Sequence, residues 1–276
     1  MSFTLFATDL DGTLLSSRGK VHAEDAAALR ELQARGVHVT FATGRMHSGC
    51  SHLAQELGIT TPLVCLDGGQ IVDPQTRAPL HTTPLPEAHV GDLLALLRDA
   101  RPATFVFQAD RIVHDGAGDR AAPYVSIWTR DMHRVDDVLG HSSFAEQALG
   151  LVTVGEEARI RELEVAIHAE LPALQTAAFI SSRAGFEGVW AMLIRSRGIS
   201  KAAGLERLAA ELGGTMDDVV AVGDWLNDVS MLRAAGRSFA MGQAPPEVAR
   251  EADEQLPQTE ATGGGVAEAA RRAGLL

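Results

Sequence analysis

The chain has 276 residues, of which 46% are hydrophobic and 22% are charged, and its formal net charge at pH 7 is −12. This length allows one large or two medium domains without disulfide or metal staples, and no apolar run approaches the roughly 20 residues that a membrane span needs. The acidic balance disfavours nucleic acids and anionic membranes as partners, because clustered cationic side chains bind both.

The first residues, Met1-Ser2-Phe3-Thr4, include no basic segment, so we expect no signal peptide and a cytoplasmic location. The two cysteines, Cys50 and Cys65, have no metal-type or redox-type spacing, and we expect both to be buried thiols without a functional role. An anionic substrate would need local positive charge from a metal ion, a lysine or an arginine. The oligomeric state stays open.

Two acids follow the first apolar run. Phe3-Thr4-Leu5-Phe6-Ala7 leads into Asp9-Leu10-Asp11-Gly12-Thr13. Because alternate residues of an extended backbone face the same side, the carboxylates of Asp9 and Asp11 can converge while Leu10 turns into the core. Such a pair can hold a cation, attack an electrophile or shuttle a proton.

Strands and helices then alternate in the N-terminal part of the chain. The apolar spacing predicts a helix over 23–35, a strand over 37–42, a helix over 46–57 and a strand over 63–66. This order favours a parallel sheet with crossover helices.

The middle of the chain has a different pattern. It predicts an α+β insert with a helix, a hairpin, a strand, a second helix and two more strands, over residues 88–99, 104–114, 149–154, 156–170, 175–181 and 186–193. The parallel pattern resumes with elements over 200–212, 219–222, 228–235 and 238–241. The fold class predicted is α/β, with a Rossmann-like parallel-sheet core (1–82 and 192–276) that carries an inserted α+β cap domain (83–191).

Four core segments end strands of the same predicted sheet: Asp9-Leu10-Asp11, Thr43-Gly44-Arg45, Asp67-Gly68-Gly69 and Asp224-Trp225-Leu226-Asn227-Asp228. Ligands of open α/β sheets bind at the carboxyl ends of the strands. Lys201 opens the helix before the Asp224 strand, so Lys201 and Gly44 are candidate phosphate contacts.

These groups suit phosphoryl transfer. An aspartate can form a covalent aspartyl-phosphate, and a second carboxylate can protonate the leaving alcohol and later accept a proton from water. Mg²⁺ prefers a few carboxylate ligands with water and phosphate oxygens, which Asp9, Asp11 and Asp224 would complete. Thr43 and Lys201 would hold the transferring phosphoryl oxygens.

The chain resembles the haloacid dehalogenase (HAD) superfamily, and within it the Cof-type phosphatases that carry a large α+β cap, or class IIB. Four motifs carry the resemblance, in the family's order: Asp9-Leu10-Asp11-Gly12-Thr13, Ala42-Thr43-Gly44-Arg45, Gly198-Ile199-Ser200-Lys201, and Gly223-Asp224 with Asn227-Asp228. The insert also occupies the family's place, after the third core strand.

The resemblance implies a role for each matched residue. Asp9 would be the nucleophile, Asp11 the acid and base, and Mg²⁺ would be held by Asp9, Asp224 and the backbone carbonyl of Asp11. The phosphate holders would be Thr43, Gly44, Lys201 and Asn227. Asn227 and Asp228 would lie beside the metal or orient Lys201, although Asn227 also fits a helix cap.

Three positions leave alternatives open. Asp67 stands where the family usually has asparagine, and it could weaken phosphate binding or recruit a cation. Trp225 follows a metal ligand directly and could narrow the site or stack on a substrate. Arg45 could contact phosphate, or pair with Asp67 or another acid. In the cap, Arg183, Tyr124 and His114 are candidates for substrate contact.

We therefore expect a Mg²⁺-dependent phosphatase that hydrolyses small phosphate monoesters, such as a sugar phosphate or a phosphorylated cofactor, while the cap closes over the leaving group. One alternative is a phosphomutase of the same fold, which would return the phosphoryl group to a second hydroxyl. Another is a non-catalytic protein that binds a phosphorylated ligand, but such a protein has no need of both a nucleophile and an acid.

Overall fold

The computed structural model describes residues 3–144, 146–180 and 186–276. The chain divides into two compact units, unit 1 (Met1–His81 and Ser200–Leu276) and unit 2 (Thr82–Ile199). The sequence-based limits of the insert were 83 and 191. Residues 192–199 fall in unit 2, whose last strand continues to Ser196.

Unit 1 begins with alternating strands and helices: β1 (Leu5–Thr8), α1 (Ala23–Ala34), β2 (His38–Phe41), α2 (His47–Leu57), β3 (Leu63–Cys65), β4 (Gln70–Val72) and β5 (Pro79–Thr82).

Unit 2 follows with its own helices and strands: α3 (Glu87–Ala100), β6 (Ala103–Gln108), β7 (Arg111–His114), α4 (Ala122–Val125), β8 (Met132–Arg134), β9 (Gly150–Gly155), α5 (Glu157–Glu170), β10 (Leu174–Ile180) and β11 (Trp190–Ser196).

The chain then returns to unit 1 through α6 (Lys201–Glu211), β12 (Val219–Gly223), α7 (Val229–Ala234), β13 (Arg237–Ala240), α8 (Pro246–Ala249), β14 (Glu254–Gln255) and α9 (Gly265–Arg272).

The main sheet of unit 1 is parallel, in the order β14-β13-β12-β1-β2. β3 adjoins β2 through a parallel bridge between Ala42 and Val64 and forms an antiparallel sheet with β4 and β5. Residues of β1 alternate between the two faces, so Phe6 packs in the core beneath α1, α2 and α9, while Leu5 and Ala7 pack in the core beneath α6 and α7. This three-layer arrangement confirms the predicted α/β fold class with a parallel core.

Unit 2 is built on a mixed six-stranded sheet in the order β10-β11-β9-β6-β7-β8, in which only the described pair β7 and β8 is parallel. Helices α3 and α5 bury their apolar stripes in one core with the sheet, through Leu93, Leu97, Ile160, Leu163 and Ile167. The unit is thus α+β with a core of its own.

Several element bounds differ from the sequence-based prediction. The strand predicted over 186–193 begins at Trp190, because the preceding residues form a turn in which Val189 N donates to Phe186 O. The last residue predicted for the neighbouring strand, Ser181, and the cap candidate Arg183 lie outside the described residues. The elements β4, β5, α4 and β8 were not predicted, since three or four residues are too few to establish a period.

No helix in the described ranges has both the length and the apolar character needed to cross a membrane. Cys50 and Cys65 are buried, and neither forms a disulfide.

Asp25 joins α1 to the start of α9. It is 1% exposed, and its carboxylate accepts hydrogen bonds from Gly264 N (2.9 Å) and Ala267 N (2.8 Å). Burial raises the pKa of Asp25, while these two backbone N–H groups oppose the shift. The carboxylate thus satisfies two backbone donors that the first turn of α9 leaves without intrahelical partners.

Replacing Asp25 by alanine should lower the free energy of unfolding by about 1–3 kcal/mol, since two buried N–H groups lose their acceptor. Chemical denaturation would measure the change, with Asp99→Ala on the exposed face of α3 as the control. A loss no larger than that of the control would contradict the assigned role.

Candidate active site

The parallel register brings three strand ends together. Thr8 at the end of β1 lies opposite Phe41 of β2 and Val222 of β12. The residues that follow these positions, Asp9, Thr43 and Asp224, therefore emerge at one edge of the sheet, where ligands of parallel α/β folds bind.

Lys201 is fully buried at this edge, with 0% of its side chain exposed. Its Nζ donates to Asp9 Oδ1 (2.5 Å) and to Asp228 Oδ1 (2.6 Å). Burial would lower the pKa of Lys201, but the charges of Asp228 and Asp9 outweigh it and raise the pKa above its ordinary value. The lysine is therefore a fixed positive charge.

Helix α6 presents this lysine because of how it begins. Ser200 is the N-cap, and its Oγ accepts a hydrogen bond from Ala203 N (3.1 Å). The helix start lies close to the loop after β3: a Cβ on Gly204 would be 2.8 Å from Gly68 Cα, and a Cβ on Gly68 would collide with Ser200 O. Glycine at both positions lets the two backbones approach.

Asp228 contacts the loop after β12 in addition to its contact with Lys201. Its second carboxylate oxygen, Oδ2, accepts hydrogen bonds from Asp224 N (2.8 Å) and Trp225 N (3.0 Å). Both carboxylate oxygens of Asp228 are thus engaged, which fixes the backbone that carries Asp224.

Asp9, Asp224 and Asp228 form a buried acidic cluster, with one oxygen of each within 4.8 Å of the others. Burial and then the charge of Asp228 raise the pKa of Asp224 to about 6. Burial, with the charges of Asp228 and Asp224, also raises the pKa of Asp9 although Lys201 opposes it. Closely spaced carboxylates with raised pKa values suit a hard divalent cation, and Asp9 and Asp224 are the better ligands because Asp228 is fully engaged.

Asp11 is placed differently from this cluster. Its side chain is 59% exposed and pairs with Arg45, whose Nη2 and Nε donate to Asp11 Oδ1 (2.5 Å) and Oδ2 (2.8 Å). The acid that pairs with Arg45 is therefore Asp11, from another strand end.

Asp67 connects three of the loops at this edge. Its N donates to Thr43 O (2.8 Å), and its Oδ1 accepts from Asn227 Nδ2 (2.9 Å). Leu66 and Asp67 both have positive φ, at 50° and 52°, a conformation that non-glycine residues rarely adopt. A Cβ on Gly44 would be 3.4 Å from Asp67 Oδ1, so the Asp67 carboxylate faces the Thr43-Gly44 turn.

Trp225 and Leu226 differ from the other large hydrophobic side chains near the acidic cluster. They are 55% and 56% exposed, so they form an apolar edge next to Asp224. Whether Trp225 narrows the site or stacks on a substrate stays a prediction.

Two contacts of the cluster were not predicted from the sequence. Thr13 Oγ1 donates to Asp224 Oδ1 (2.8 Å), and Gln243 Nε2 donates to Gly12 O (2.6 Å). Thr13 closes the same short motif as Asp9 and Asp11, which was a usable signal, whereas no local pattern around Gln243 indicates its partner.

Comparisons with known proteins point in one direction. A family model described as haloacid dehalogenase-like hydrolase matches residues 6–269. Phosphatase YwpJ of Bacillus subtilis is 31% identical over 287 residues, covering 90% of this chain and 93% of that protein. Pyridoxal phosphate phosphatase YbhA of Escherichia coli is 26% identical over 92% of this chain and 93% of its own length.

Solved structures of the same family resemble this fold. The crystal structure of a haloacid dehalogenase-like hydrolase from Bacteroides thetaiotaomicron superposes with a TM-score of 0.84 at 25% identity, covering 99% of this chain and all of that one, 100%.

Gly12→Ala should weaken divalent-cation binding. Gly12 has φ +88°, and an added Cβ would lie 2.9 Å from Asp224 Cγ and collide with Oδ2, so Asp224 must move. Disturbing the residues that orient a metal-binding side chain typically lowers metal affinity about 10–100-fold. Titration calorimetry with Mg²⁺ would measure this loss.

Gly19→Ala is the matched control for this variant. Gly19 also has positive φ, at +68°, but its Cβ would meet nothing within 4 Å. Equal Mg²⁺ affinity in the two variants would contradict the expectation that Asp224 binds the cation.

Proposed function

The chain belongs to the haloacid dehalogenase-like hydrolases of the Cof type and is a phosphatase, and we propose that it hydrolyses small phosphate monoesters with Mg²⁺ through an aspartyl-phosphate. The observation that carries the proposal is the buried contact of Lys201 with Asp9 and Asp228, beside Asp224. A structural ion pair needs no third carboxylate at the same point, whereas carboxylate oxygens beyond those paired with the lysine suit a bound Mg²⁺.

Asp9 is the proposed nucleophile. Its Oδ1 is fixed by Lys201 at 2.5 Å, and the residue is 5% exposed, so the carboxylate is held in one orientation at the end of β1. A fixed carboxylate oxygen can attack the phosphorus of a bound ester, and the reaction is split into two easier displacements.

Asp9, Asp224 and the backbone carbonyl of Asp11 are the proposed ligands of Mg²⁺. Their hard oxygen donors fit this ion. Burial, together with the charges of neighbouring carboxylates, raises the pKa values of Asp9 and Asp224, and a bound cation would stabilise their charged forms. When bound, Mg²⁺ would supply charge neutralisation for the phosphoryl oxygens.

Thr43, Gly44, Lys201 and Asn227 are the proposed phosphate holders. The turn at Thr43 lies one strand away from Asp9. Lys201 supplies a buried positive charge, and its attraction to phosphoryl oxygens becomes stronger when water is excluded. The amide of Asn227 donates one N–H to Asp67, and its second N–H is the donor that could reach a phosphate oxygen.

Asp11 is the proposed acid and base. It lies two residues from the nucleophile, and its exposed carboxyl is outside the buried acidic cluster. It would protonate the leaving oxygen in the first step and accept a proton from the attacking water in the second.

The proposed substrates are small phosphorylated metabolites. The support comes from relatives named as phosphatases of small phosphate compounds, among them the pyridoxal phosphate phosphatase. A sugar phosphate or a phosphorylated cofactor is the class of substrate that the family resemblance implies.

Asp9→Asn should abolish turnover. A panel of phosphorylated metabolites would be assayed for phosphate release with Mg²⁺ and with a chelator, using Asp99→Asn on α3 as a control with the same change at an exposed aspartate. We expect release by the native protein and the control only with Mg²⁺, and a loss in Asp9→Asn of at least the about 10²–10⁴-fold typical of essential groups.

Other results of this assay separate the alternatives. Full turnover by Asp9→Asn, or no phosphate from any substrate, would contradict the proposal. Transfer of label to a second position of a phosphorylated sugar without phosphate release would favour a phosphomutase, and tight ligand binding without either product would favour a non-catalytic binding protein.

A further inference from the structure

Asp11 needs a positioning partner if it is to exchange a proton with the leaving group. Its side chain is 59% exposed, so nothing in its burial restricts the rotation of its carboxyl group. A general acid works only when its proton lies within hydrogen-bonding reach of the leaving oxygen, and misplacement of about 1 Å can cost about 100-fold in rate.

Arg45 supplies a contact that fixes this group. Two nitrogens of its guanidinium, Nε and Nη2, donate to the two carboxylate oxygens of Asp11 at 2.8 Å and 2.5 Å. A two-point pair of this kind fixes the plane of the carboxylate as well as its distance. A lysine could make only a point contact at the same place.

Arg45 is itself held firmly, so it is the fixed member of the pair. Its side chain is 17% exposed, and Nη1 donates to Gly49 O in α2 (3.1 Å). Its backbone N donates to Thr43 Oγ1 (3.1 Å) and its backbone O accepts from Leu66 N (3.0 Å). These contacts tie Arg45 to the loops after β2 and β3.

We propose that Arg45 is a positioning residue that aims the Asp11 carboxyl at the leaving group. This inference rests on the proposed function. One hydrogen bond of the pair opens so that the released carboxyl oxygen can carry the proton, while the other bond keeps the group in place.

The proton balance follows the two steps. Protonated Asp11 gives its proton to the leaving oxygen as the bond between that oxygen and phosphorus breaks, and Asp11 becomes a carboxylate. It then takes a proton from the water that attacks the aspartyl-phosphate, which restores the carboxyl and frees phosphate.

The same contacts favour Asp11 over a phosphate as the partner of Arg45. Each guanidinium nitrogen donates to a protein oxygen, two of them to Asp11 and one to Gly49. These bonds use three of the five N–H groups and fix the guanidinium in the plane of the Asp11 carboxylate. The two roles differ in their kinetics, since a phosphate contact acts on every substrate alike.

Leaving-group dependence tests the proposal. The nitrophenolate of p-nitrophenyl phosphate leaves without protonation, whereas an alkyl alcohol needs a proton. Arg45→Gln should lower kcat about 10–100-fold for the most active alkyl monoester of the panel, lower it less than about threefold for p-nitrophenyl phosphate, and leave KM nearly unchanged for both. Asp11→Asn should discriminate in the same sense, and the double variant should lose no more than Asp11→Asn alone.

Two further variants make the test decisive. Arg45→Lys keeps the charge without the two-point contact and should show the same selective loss of kcat on the alkyl ester. It also serves as the test variant if Arg45→Gln does not fold. Arg233→Gln removes an exposed two-point pair with Glu251, in which Nε and Nη2 also donate to both carboxylate oxygens, and it should change neither reaction.

The outcomes separate the inference from the function it rests on. Equal losses on the two esters, no loss on either, or a change mainly in KM would overturn the positioning role and leave the phosphatase assignment standing. Absence of hydrolysis of both esters by the native protein would overturn both.

Discussion

The ammonium group of Lys201 lies between Asp9 and Asp228 with none of its side chain exposed to solvent. A buried charge without partners costs several kcal/mol, so this lysine can be buried only if both carboxylates reach it. That requirement sets where α6 must begin relative to the ends of β1 and β12. The serine cap and the glycines at 68 and 204 are the local features that make the approach possible.

The arrangement also divides the acids into two kinds. Asp9, Asp224 and Asp228 are buried together around one lysine, and burial, together with the charges of the neighbouring carboxylates, raises the pKa values of Asp9 and Asp224. A divalent cation would offset this concentration of negative charge. Asp11 lies outside the cluster, in contact with Arg45, and keeps the exposed position that proton exchange with a leaving group requires.

The sequence was sufficient to predict those parts of the fold and of the site that follow from a local pattern or from the order of the strands. A parallel sheet places the ends of β1 and β12 at one edge, so the approach of Asp9 and Asp224 could be expected from the order of the strands alone. The partner of Arg45 could not be predicted from the sequence, because several acids were available. The choice of Asp11 depends on how the loop after β1 folds. The strained turn at Leu66 and Asp67 and the bond from Gln243 to Gly12 also depend on tertiary contacts between distant segments.

Asp9 is the residue proposed to accept the phosphoryl group, and the most direct measurement is the identity of the phosphorylated residue. Native protein and a hydrolysed monoester would be mixed, quenched in acid during turnover and treated with borohydride, which reduces an aspartyl-phosphate to homoserine. Peptide mass mapping should then find homoserine at position 9 and nowhere else. Modification at another residue, or an unmodified Asp9 in protein that is turning over, would contradict the account.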